Sequence, residues 1–368
     1  MSIDDNLVVL SAGGTGGHMT PARALAHDLL SRGYRVALLT DERGTKYKAM
    51  FEGVEIHRIK SGALGAGLLG KVTGALNMGL GLVQSISLLK KLKPDLVVGF
   101  GGYPSVPGVY AAQKLKIPTI IHEQNAIIGK ANAFLAPKAM RIALSLSNTT
   151  GLDELDKIRS VVTGNPVRAE IAALYNEPYP VMKPSDTLRI FVIGGSLGAS
   201  VFSDVIPQAL AALPPDQKER LSVVQQCREE DIEEVRAAYE AASIKAELAT
   251  FFDDVAAQLK TAHLVIARSG ASTVAEVSTA GRPAIFVPYP HHKDQQQKMN
   301  ADAVADVGGA WVMAEDGFNK DVLLAKIENF LQNPETLFKA AEAARSCGKP
   351  DASRKLGNLV TAIASGWD

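Results

Sequence analysis

The sequence predicts an α/β protein made of two doubly wound, Rossmann-like domains, and three observations support this fold class. Apolar strand-like runs alternate with segments of helical periodicity, which is typical of parallel sheets covered by helices. The run VVLSAGGTGGHMTPARAL (residues 8–25) is a strand, a glycine-rich loop and the start of a helix, and the same order returns in LRIFVIGGSLGAS (188–200). The chain of 368 residues also has the length of two domains rather than one.

The individual elements follow from the same alternation. Asn165-Pro166, in VVTGNPVRAE, interrupts it and indicates a turn or hinge. We therefore expect one domain over residues 1–165, a second over 166–349, and a C-terminal segment, about 350–368, that packs back on the first. The predicted strands are 7–11, 35–39, 96–100, 119–122, 142–144, 221–225, 264–267 and 283–287, with one more at the start of LRIFVIGGSLGAS (188–200), and the predicted helices include 21–32, 106–114 and 353–363.

Composition excludes several functional classes. Lys plus Arg equals Asp plus Glu at 39 each, so the chain lacks the basic excess that bulk nucleic-acid binding requires. Cys227 and Cys347 have neither CxxC nor metal-site spacing, which indicates a reduced, cytoplasmic protein. The N-terminus MSIDDN has no basic or apolar leader pattern, and we expect no apolar run of the roughly 18 residues that a spanning helix needs.

Three glycine-rich loops, at 13–17, at 99–102 with Tyr103, and at 194–198, follow predicted strands. A strand that opens onto a helix N-terminus presents free N–H groups, and glycines let a bulky anion approach them. The alternative is a tight turn without a ligand. Because ligands of parallel sheets bind at the carboxyl ends of strands, we expect a site in the cleft between the two domains.

A nicotinamide-dependent oxidoreductase is the alternative function that such domains suggest. The fingerprint G-x-G-x-x-G fails, because Gly14 and Gly16 are followed by Met19 at the third position, and Ser196 interrupts the second loop. Asp41, at the end of the second strand, is weak support for a ribose contact. GAGLLGKV (65–72) resembles a phosphate-binding loop but has Val72 where a magnesium-binding hydroxyl must lie.

The segment 267–301, ARSGASTVAEVSTAGRPAIFVPYPHHKDQQQKMNA, permits two interpretations. In one, Ser272 caps a helix and Glu276, in its first turn, complements the helix dipole. In the other, the helix N-terminus binds a diphosphate and Glu276 accepts hydrogen bonds from ribose hydroxyls. The amides of DQQQKMNA would then contact sugar hydroxyls.

Taken together, these motifs resemble the MurG family of bacterial peptidoglycan glycosyltransferases, which add N-acetylglucosamine to undecaprenyl-pyrophosphoryl-N-acetylmuramyl pentapeptide. The resemblance runs nearly end to end through GGTGGH, GFGGYPSVPG, HEQNAIIGKAN, TGNPVR, GGSLGA, RSGASTVAE and HKDQQQKMNA, in that order. It implies a B-type glycosyltransferase fold with the donor, UDP-N-acetylglucosamine, mainly on the C-terminal half and the lipid acceptor on the N-terminal half. It also implies a peripheral location on the cytoplasmic face of the inner membrane, and partners among cell-wall synthesis or division proteins.

The resemblance assigns roles motif by motif, with no cofactor and no metal. Ser272 replaces a residue that is often apolar, and His291-His292 adds a residue before KD, so the choice between Gln296 and Gln297 stays open. The glycines and tyrosine implied for the acceptor pyrophosphate are Gly13, Gly14, Gly101, Gly102 and Tyr103. The implied donor contacts are Thr15, Gly16, Gly17, Asn125, Arg168, Ser196, Phe252 (at the uracil), Ala271, Ser272, Thr273, Glu276, Gln296 and Gln297.

The catalytic candidates follow from inversion at the anomeric carbon, which needs a base for the acceptor C4 hydroxyl. His18, at the start of the first helix, is the favoured base because imidazole titrates near ~6.5, and the alternative is that it only hydrogen-bonds a donor phosphate or sugar hydroxyl. His122 and Glu123 are the rival candidates, and the alternative is that they orient Asn125. The chain has no Asp-x-Asp pair to hold magnesium, so helix N-termini and Arg168 are expected to stabilise the leaving UDP.

The segment 62–93 is unusually apolar and is flanked by Lys71, Lys90, Lys91 and Lys93. We expect the helix through Leu76–Leu89 to be buried, and 62–70 to be the exposed part that inserts into an anionic membrane surface.

Overall fold

The computed structural model describes residues 6–14, 16–62, 67–195, 199–291 and 294–366. It divides into two compact units. Unit 1 comprises Met1–Arg168 with Asp351–Asp368, and unit 2 comprises Ala169–Pro350. The expected domain limits at residues 165 and 349 lie close to these divisions.

Unit 1 is a parallel sheet covered by helices. Its strands are β1 Leu7–Ser11, β2 Arg35–Thr40, β3 Glu55–Arg58, β4 Leu96–Gly99, β5 Thr119–Glu123, β6 Arg141–Leu144 and β7 Ser160–Val162. All pair in parallel, in the order β3-β2-β1-β4-β5-β6-β7. Its helices are α1 Gly16–Ser31, α2 Gly67–Leu92, α3 Gly102–Lys114, α4 Lys130–Leu135, α5 Glu154–Ile158 and α15 Ala352–Ala364, with 3-10 turns at Gly44–Met50 and Ala136–Lys138.

Unit 2 repeats this plan with six strands. They are β8 Leu188–Ile193, β9 Leu221–Gln226, β10 Lys245–Ala249, β11 Leu264–Ala267, β12 Ala284–Phe286 and β13 Ala310–Val312, all parallel in the order β10-β9-β8-β11-β12-β13. The helices are α6 Ala169–Ala173, α7 Ser200–Ala211, α8 Pro215–Lys218, α9 Ile232–Ala241, α10 Val255–Thr261, α11 Ala271–Thr279, α12 Gln296–Ala305, α13 Lys320–Gln332 and α14 Glu335–Cys347, with 3-10 turns at Leu174–Asn176 and Glu315–Gly317.

The strand order explains where a ligand would bind in each unit. In both sheets the chain starts in the middle, winds to one edge, and then returns to wind toward the other, as in a doubly wound nucleotide-binding fold. The direction of winding reverses between β1 and β4 in unit 1, and between β8 and β11 in unit 2. Loops on either side of such a switch point diverge at the carboxyl ends of the strands, which leaves a crevice there.

Alternate residues of β1 enter two separate cores. Val8 and Leu10 pack with α1 and α15, while Leu7 and Val9 pack on the opposite face of the sheet, the face that α2 and α3 cover. All four side chains are buried, which explains why the strand is a continuous apolar run without polar alternation.

Helix α15 returns to unit 1 and packs on α1. Leu356, Val360 and Ile363 enter the same core as Val8 and Leu10. At the contact, Arg32, the residue after α1, donates to the side-chain oxygen of Asn358 at 2.8 Å. A Cβ on Gly357 would overlap the Asp28 carboxylate, so glycine at this position lets the two helices approach.

Helix α2 is amphipathic rather than buried, which corrects one expectation. Leu82, Ile86 and Leu89 pack into the core, but Leu76, Leu80 and Val83 are 55–66% exposed on another face. Among the described residues, one helical stretch, Gly70–Leu92, is long and apolar enough to cross a membrane, with mean hydropathy 1.4 and 22% burial. The expectation of no such run is therefore wrong by this criterion. Residues 63–66, inside the segment expected to be exposed, lie outside the described ranges.

Candidate active site at the switch points

The first turn of unit 1 is held by a carboxylate. Gly14, with φ of +84°, donates its N–H to Asp41 Oδ1 at 3.0 Å. The same oxygen accepts from the N–H of Gly44 at 3.0 Å, and Asp41 Oδ2 pairs with Arg43 Nε at 3.0 Å. Asp41 is therefore committed to the turn, which removes the ribose contact considered for it. Thr15 lies outside the described residues.

The second turn of unit 1 lies between β4 and α3. Gly101 and Gly102 have φ of +78° and +70°, which L side chains rarely adopt. A Cβ on Gly102 would lie 3.0 Å from His18 Nε2, so this turn and the start of α1 are adjacent. Tyr103, next in α3, is 41% exposed. The structure thus brings His18 together with the residues expected at the acceptor pyrophosphate.

His18 lies in the first turn of α1, half-buried, with Nδ1 3.3 Å from Gln124 Oε1. Burial lowers the pKa of His18 below its ordinary value of 6.5, because the charged form loses water. The Glu123 carboxylate, Gln124 and the Phe100 carbonyl raise this pKa, and Arg43 lowers it further. The imidazole is neutral at neutral pH and so can accept a proton.

The two rival bases are completely buried at the end of β5. His122 is 0% exposed, and burial lowers its pKa to about 4. Glu123 is 1% exposed, and its two oxygens accept from the backbone and side-chain nitrogens of Asn125 at 3.0 and 3.1 Å, from Gly129 N at 2.9 Å and from Asn132 Nδ2 at 2.8 Å. These contacts fit the orienting role, since four donors stabilise the carboxylate and fix the loop that carries Asn125.

Three further donor candidates belong to unit 1. Gly17 is exposed next to His18, and Gly16 begins α1. Arg168 is half-buried at the last position before unit 2 begins.

The β8 turn of unit 2 is organised by a glutamine that sequence reasoning missed. Gln226, at the end of β9, accepts from Gly194 N at 3.1 Å and donates to the carbonyl oxygens of Gly195 and Thr250, each at 3.1 Å. Gly195 has φ of +83°, and a Cβ there would meet none of the described atoms within 4 Å. Ser196 lies outside the described residues. The signal that could have identified Gln226 was a buried polar residue ending a strand.

The β11 turn leads into α11, whose N-cap is Gly270 rather than Ser272. The expected capping role of Ser272 is therefore wrong, and Ala271, Ser272 and Thr273 form the first turn. Glu276 is 8% exposed and lies one turn further along, so its expected interaction with the dipole at the first turn is also wrong. The second interpretation of this segment, with a ligand at the N-terminus, stays a prediction.

Helix α12 places both glutamine candidates in its first turn. Gln297 Oε1 accepts from Tyr289 N at 3.0 Å, and Gln296 N donates to Asp294 Oδ1 at 3.3 Å. Asn300, 1% exposed, donates to Ser269 O at 3.3 Å and ties α12 to the end of β11.

The uracil candidate Phe252 is half-buried in the segment between β10 and α10. Its ring packs edge-on against Phe191 of β8, with ring centroids 5.7 Å apart. Across the described ranges, no group of three or more His, Cys, Asp or Glu side chains could hold a metal ion.

Two all-parallel doubly wound units, each with a glycine turn at its switch point, form the architecture of a B-type glycosyltransferase fold. The crystal structure of MurG from Acinetobacter baumannii has the same fold, with a TM-score of 0.78, 31% identity, and coverage of 97% of this chain and 99% of that one. The chain belongs to glycosyltransferase family 28: the family's N-terminal domain matches residues 8–144 and its C-terminal domain matches 189–356.

Two relatives that align over nearly the whole chain have the same protein name. The UDP-N-acetylglucosamine–N-acetylmuramyl-(pentapeptide) pyrophosphoryl-undecaprenol N-acetylglucosamine transferase of Rhodospirillum centenum is 50% identical, over 97% of this chain and 94% of its own. The enzyme of that name from Paramagnetospirillum magneticum is 48% identical, over 99% and 98%. The predicted fold class and family are confirmed, and the oxidoreductase alternative is wrong.

Proposed function

We propose that this glycosyltransferase moves N-acetylglucosamine from UDP-N-acetylglucosamine to the C4 hydroxyl of undecaprenyl-pyrophosphoryl-N-acetylmuramyl pentapeptide, with inversion, in peptidoglycan synthesis. The relatives' shared name, over nearly the whole chain, supports these substrates. The geometric observation that carries the proposal is His18, a neutral imidazole at the switch point of unit 1 beside the Gly101–Gly102 turn.

The donor is proposed to bind unit 2. Helix α11 begins at Ala271, with Gly270 as its N-cap and no side-chain cap. A diphosphate would accept from the first-turn N–H groups and be stabilised by the helix dipole. Glu276, one turn on, would accept from ribose hydroxyls, Phe252 would lie at the uracil, and Gln296 or Gln297 would contact the sugar.

The acceptor is proposed to bind unit 1. Of the residues expected at its pyrophosphate, Gly101, Gly102 and Tyr103 are better placed than Gly14, whose N–H already donates to Asp41. The turn lies at the N-terminus of α3, a 13-residue helix with no side-chain cap at Gly101, which favours an anion.

The reaction is a single in-line displacement. His18 takes the proton of the C4 hydroxyl as its oxygen attacks the anomeric carbon, and the bond from that carbon to the UDP oxygen breaks on the opposite face. The imidazolium that forms is stabilised by the Glu123 carboxylate and by the Phe100 carbonyl, the groups that raise the pKa of His18. His122 and Glu123 act as positioning residues for the loop around Asn125.

The proposal includes no metal and no cofactor. Helix N-termini and Arg168 supply the positive potential that the leaving diphosphate needs.

The direct test is transfer of labelled N-acetylglucosamine from the UDP-sugar to a lipid-linked muramyl acceptor. We expect a β-1,4-linked product whose rate is unchanged by EDTA. No transfer, with UDP-N-acetylglucosamine bound but not consumed, would contradict the enzymatic role; activity lost in EDTA and restored only by a divalent ion would contradict metal independence.

We also propose that unit 1 meets an anionic membrane surface through α2, as a peripheral protein on the cytoplasmic face of the inner membrane. Val72, Leu76, Leu80 and Val83 are 50–66% exposed at helical spacing, next to Lys71, and the exposed Lys90 and Lys91 end the helix. Such a stripe suits shallow insertion, with lysines at the headgroups.

Vesicle flotation with anionic lipid tests this surface. The variant Leu76→Asp, Leu80→Asp, Val83→Asp is expected to lose at least about tenfold in vesicle binding, since each buried apolar side chain contributes about 1 kcal/mol or more. The control Leu155→Asp, Ile158→Asp changes two other side chains of unit 1, 70% and 80% exposed, and should bind normally. Equal flotation of both variants would contradict the proposed surface.

A further inference from the structure

A chain of three side chains, in which His122 and Gln124 are buried and His18 is half-buried, determines which nitrogen of His18 carries the proton. It begins at His122, whose Nε2 lies 3.1 Å from the carbonyl oxygen of Gly164. A carbonyl oxygen can only accept, so His122 Nε2 must carry the hydrogen. Burial keeps this imidazole neutral, with its pKa lowered to about 4, so its other nitrogen, Nδ1, has a free lone pair.

Gln124 is the second member, and its amide can lie in only one orientation. Its Nε2 is 2.9 Å from His122 Nδ1 and 3.0 Å from the backbone carbonyl oxygen of His122. Both of these atoms are acceptors, so the amide end facing them must be the NH₂ group, which has two hydrogens to donate. The amide oxygen therefore points the other way. Gln124 is 3% exposed, which makes a reversed amide, with oxygen against two acceptors, strongly unfavourable.

His18 is the third member. Gln124 Oε1 lies 3.3 Å from His18 Nδ1 and can only accept, so Nδ1 carries the proton of the neutral ring. The lone pair is then on Nε2, the atom beside the Gly101–Gly102 turn. We propose that Gln124 is a positioning residue that holds His18 in the Nδ1–H tautomer, with Nε2 free to accept the acceptor's proton. The catalytic consequence rests on the proposed function.

Because the Gln124 amide is neutral, it can fix the tautomer of His18 without placing a negative charge next to the ring. A carboxylate would also accept from Nδ1, but its negative charge would raise the pKa of His18. The other groups that act on the ring lie on different elements: Glu123 on β5 and the carbonyl of Phe100 raise its pKa, and Arg43, after β2, lowers it. With Gln124 neutral, burial outweighs them and the ring stays unprotonated.

Nitrogen NMR of the full chain labelled with ¹⁵N-histidine tests the tautomer without any substrate. The chain has 7 histidines, and the signals that disappear in His18→Gln and His122→Gln identify these two. Above neutral pH we expect opposite tautomers: a protonated, pyrrole-type Nδ1 for His18 and a protonated, pyrrole-type Nε2 for His122. A pyrrole-type Nε2 on His18 in the wild type would overturn the proposal.

Two substitutions distinguish the role of the Gln124 amide oxygen, which accepts a hydrogen bond, from that of its NH₂ group, which donates. Gln124→Met removes both, so His18 should become a mixture of tautomers, and kcat should fall about 10- to 100-fold with little change in KM. Gln124→Glu keeps an acceptor for His18 Nδ1 but adds charge, so the His18 tautomer should persist while the acidic limb of the kcat profile moves to higher pH. The control Gln113→Met removes a half-buried glutamine of α3 that bonds Leu135 O, and should change neither readout.

An unchanged Nδ1–H tautomer in Gln124→Met would overturn the proposal, as would an acidic limb in Gln124→Glu that stays where the wild type has it. Failure of the proposed function gives a different result. If His18→Gln kept the wild-type rate while the tautomers behaved as expected, His18 would not be the base, and the positioning of its ring by Gln124 would still stand.

Discussion

The glycine turns of the two units look alike in sequence and are used differently. In unit 1, a Cβ on Gly13 would lie 2.7 Å from Asp41 Oδ1 and 2.8 Å from Pro104 Cβ, so the protein's own packing requires glycine. In unit 2, a Cβ on Gly195 or Gly270 would meet none of the described atoms within 4 Å. Protein atoms therefore pack tightly around the Gly13 turn of unit 1, which precedes His18 and which we call the closed turn. They leave space at the Gly195 and Gly270 turns of unit 2, which we call the open turns.

Gly270 is the more informative of the two open glycines. Gly195 needs glycine for its φ of +83°, but Gly270 has an ordinary φ of −59°. It is the N-cap of α11, where Ser, Asn or Asp would bond the first-turn N–H groups. Glycine supplies no side-chain cap at this position, which fits the diphosphate proposed there.

The largest expected effect is on kcat, and it tests whether His18, beside the closed turn, takes part in the reaction. His18→Gln removes the proposed base, so we expect kcat to fall about 10²- to 10⁴-fold with the KM for the UDP-sugar nearly unchanged. Steady-state rates from pH 5 to 9 measure this. A variant with the wild-type rate and the same acidic limb would show that the closed turn serves structure alone.

The loss of folding stability at low pH allows a comparison of buried histidines in the two units. Burial lowers the pKa of His122 in unit 1 and of His263 in unit 2 to about 4, and Arg189 and Arg282 also lower that of His263. Because the folded pKa lies below the ordinary 6.5, the stabilisation is complete above pH 6.5 and is lost as pH falls toward 4. Each histidine accounts for about 3 kcal/mol of that loss.

Urea unfolding at a series of pH values measures this loss. His263→Gln should be destabilised at pH 7, since Arg189 N donates to His263 Nδ1 at 2.9 Å, but its free energy of unfolding should decline less between pH 6.5 and 4. The control is His27→Gln, an exposed histidine on α1. A decline as steep as that of the wild type would contradict the neutral state of His263.

Substitution in the closed turn should act on stability. Gly13→Ala introduces a Cβ against Asp41 and Pro104 and is expected to cost about 1–3 kcal/mol in free energy of unfolding. Gly16→Ala is the control, because its Cβ would meet Tyr47 Oη at an ordinary 3.6 Å. If both variants unfolded at the same urea concentration, the close packing around Gly13 would be disproved.

Substitution in the open turn should act on binding instead. Gly270→Ala is expected to change the free energy of unfolding by less than about 1 kcal/mol but to raise the KM for UDP-N-acetylglucosamine about tenfold. Gly317→Ala is the matched control in unit 2, since a Cβ there also meets none of the described atoms within 4 Å. A Gly270→Ala enzyme with normal donor KM would remove the diphosphate from this turn.

The central strands were predictable and the edge strands were not. Predicted runs matched β1 and β11 residue for residue, because these strands are buried on both faces and contain only apolar or small residues. The four missed strands, β3, β7, β10 and β13, are the outer strands of the two sheets. Edge strands are short or half-exposed, as in EIHR of β3 and KAELA of β10, and so lack an apolar run.

Some site residues could be located by sequence and others could not. The motifs placed His18, Glu276 and the two glutamines of α12 near the ends of strands. They could not show that Gly270 rather than Ser272 caps α11, because a cap depends on local dihedral angles. Gln124 and Gln226 were missed because their importance depends on hydrogen bonds to residues remote in the chain.

The sequence by itself determined the fold class, the family and the positions of the glycine turns, since burial periodicity and turn chemistry act over a few neighbouring residues. Only the tertiary structure decided what each turn is for. Whether a glycine is packed or open, and which nitrogen of His18 is protonated, depends on atoms brought close by folding: Gln124 lies 106 residues from His18 in the chain, and its amide contacts the imidazole ring.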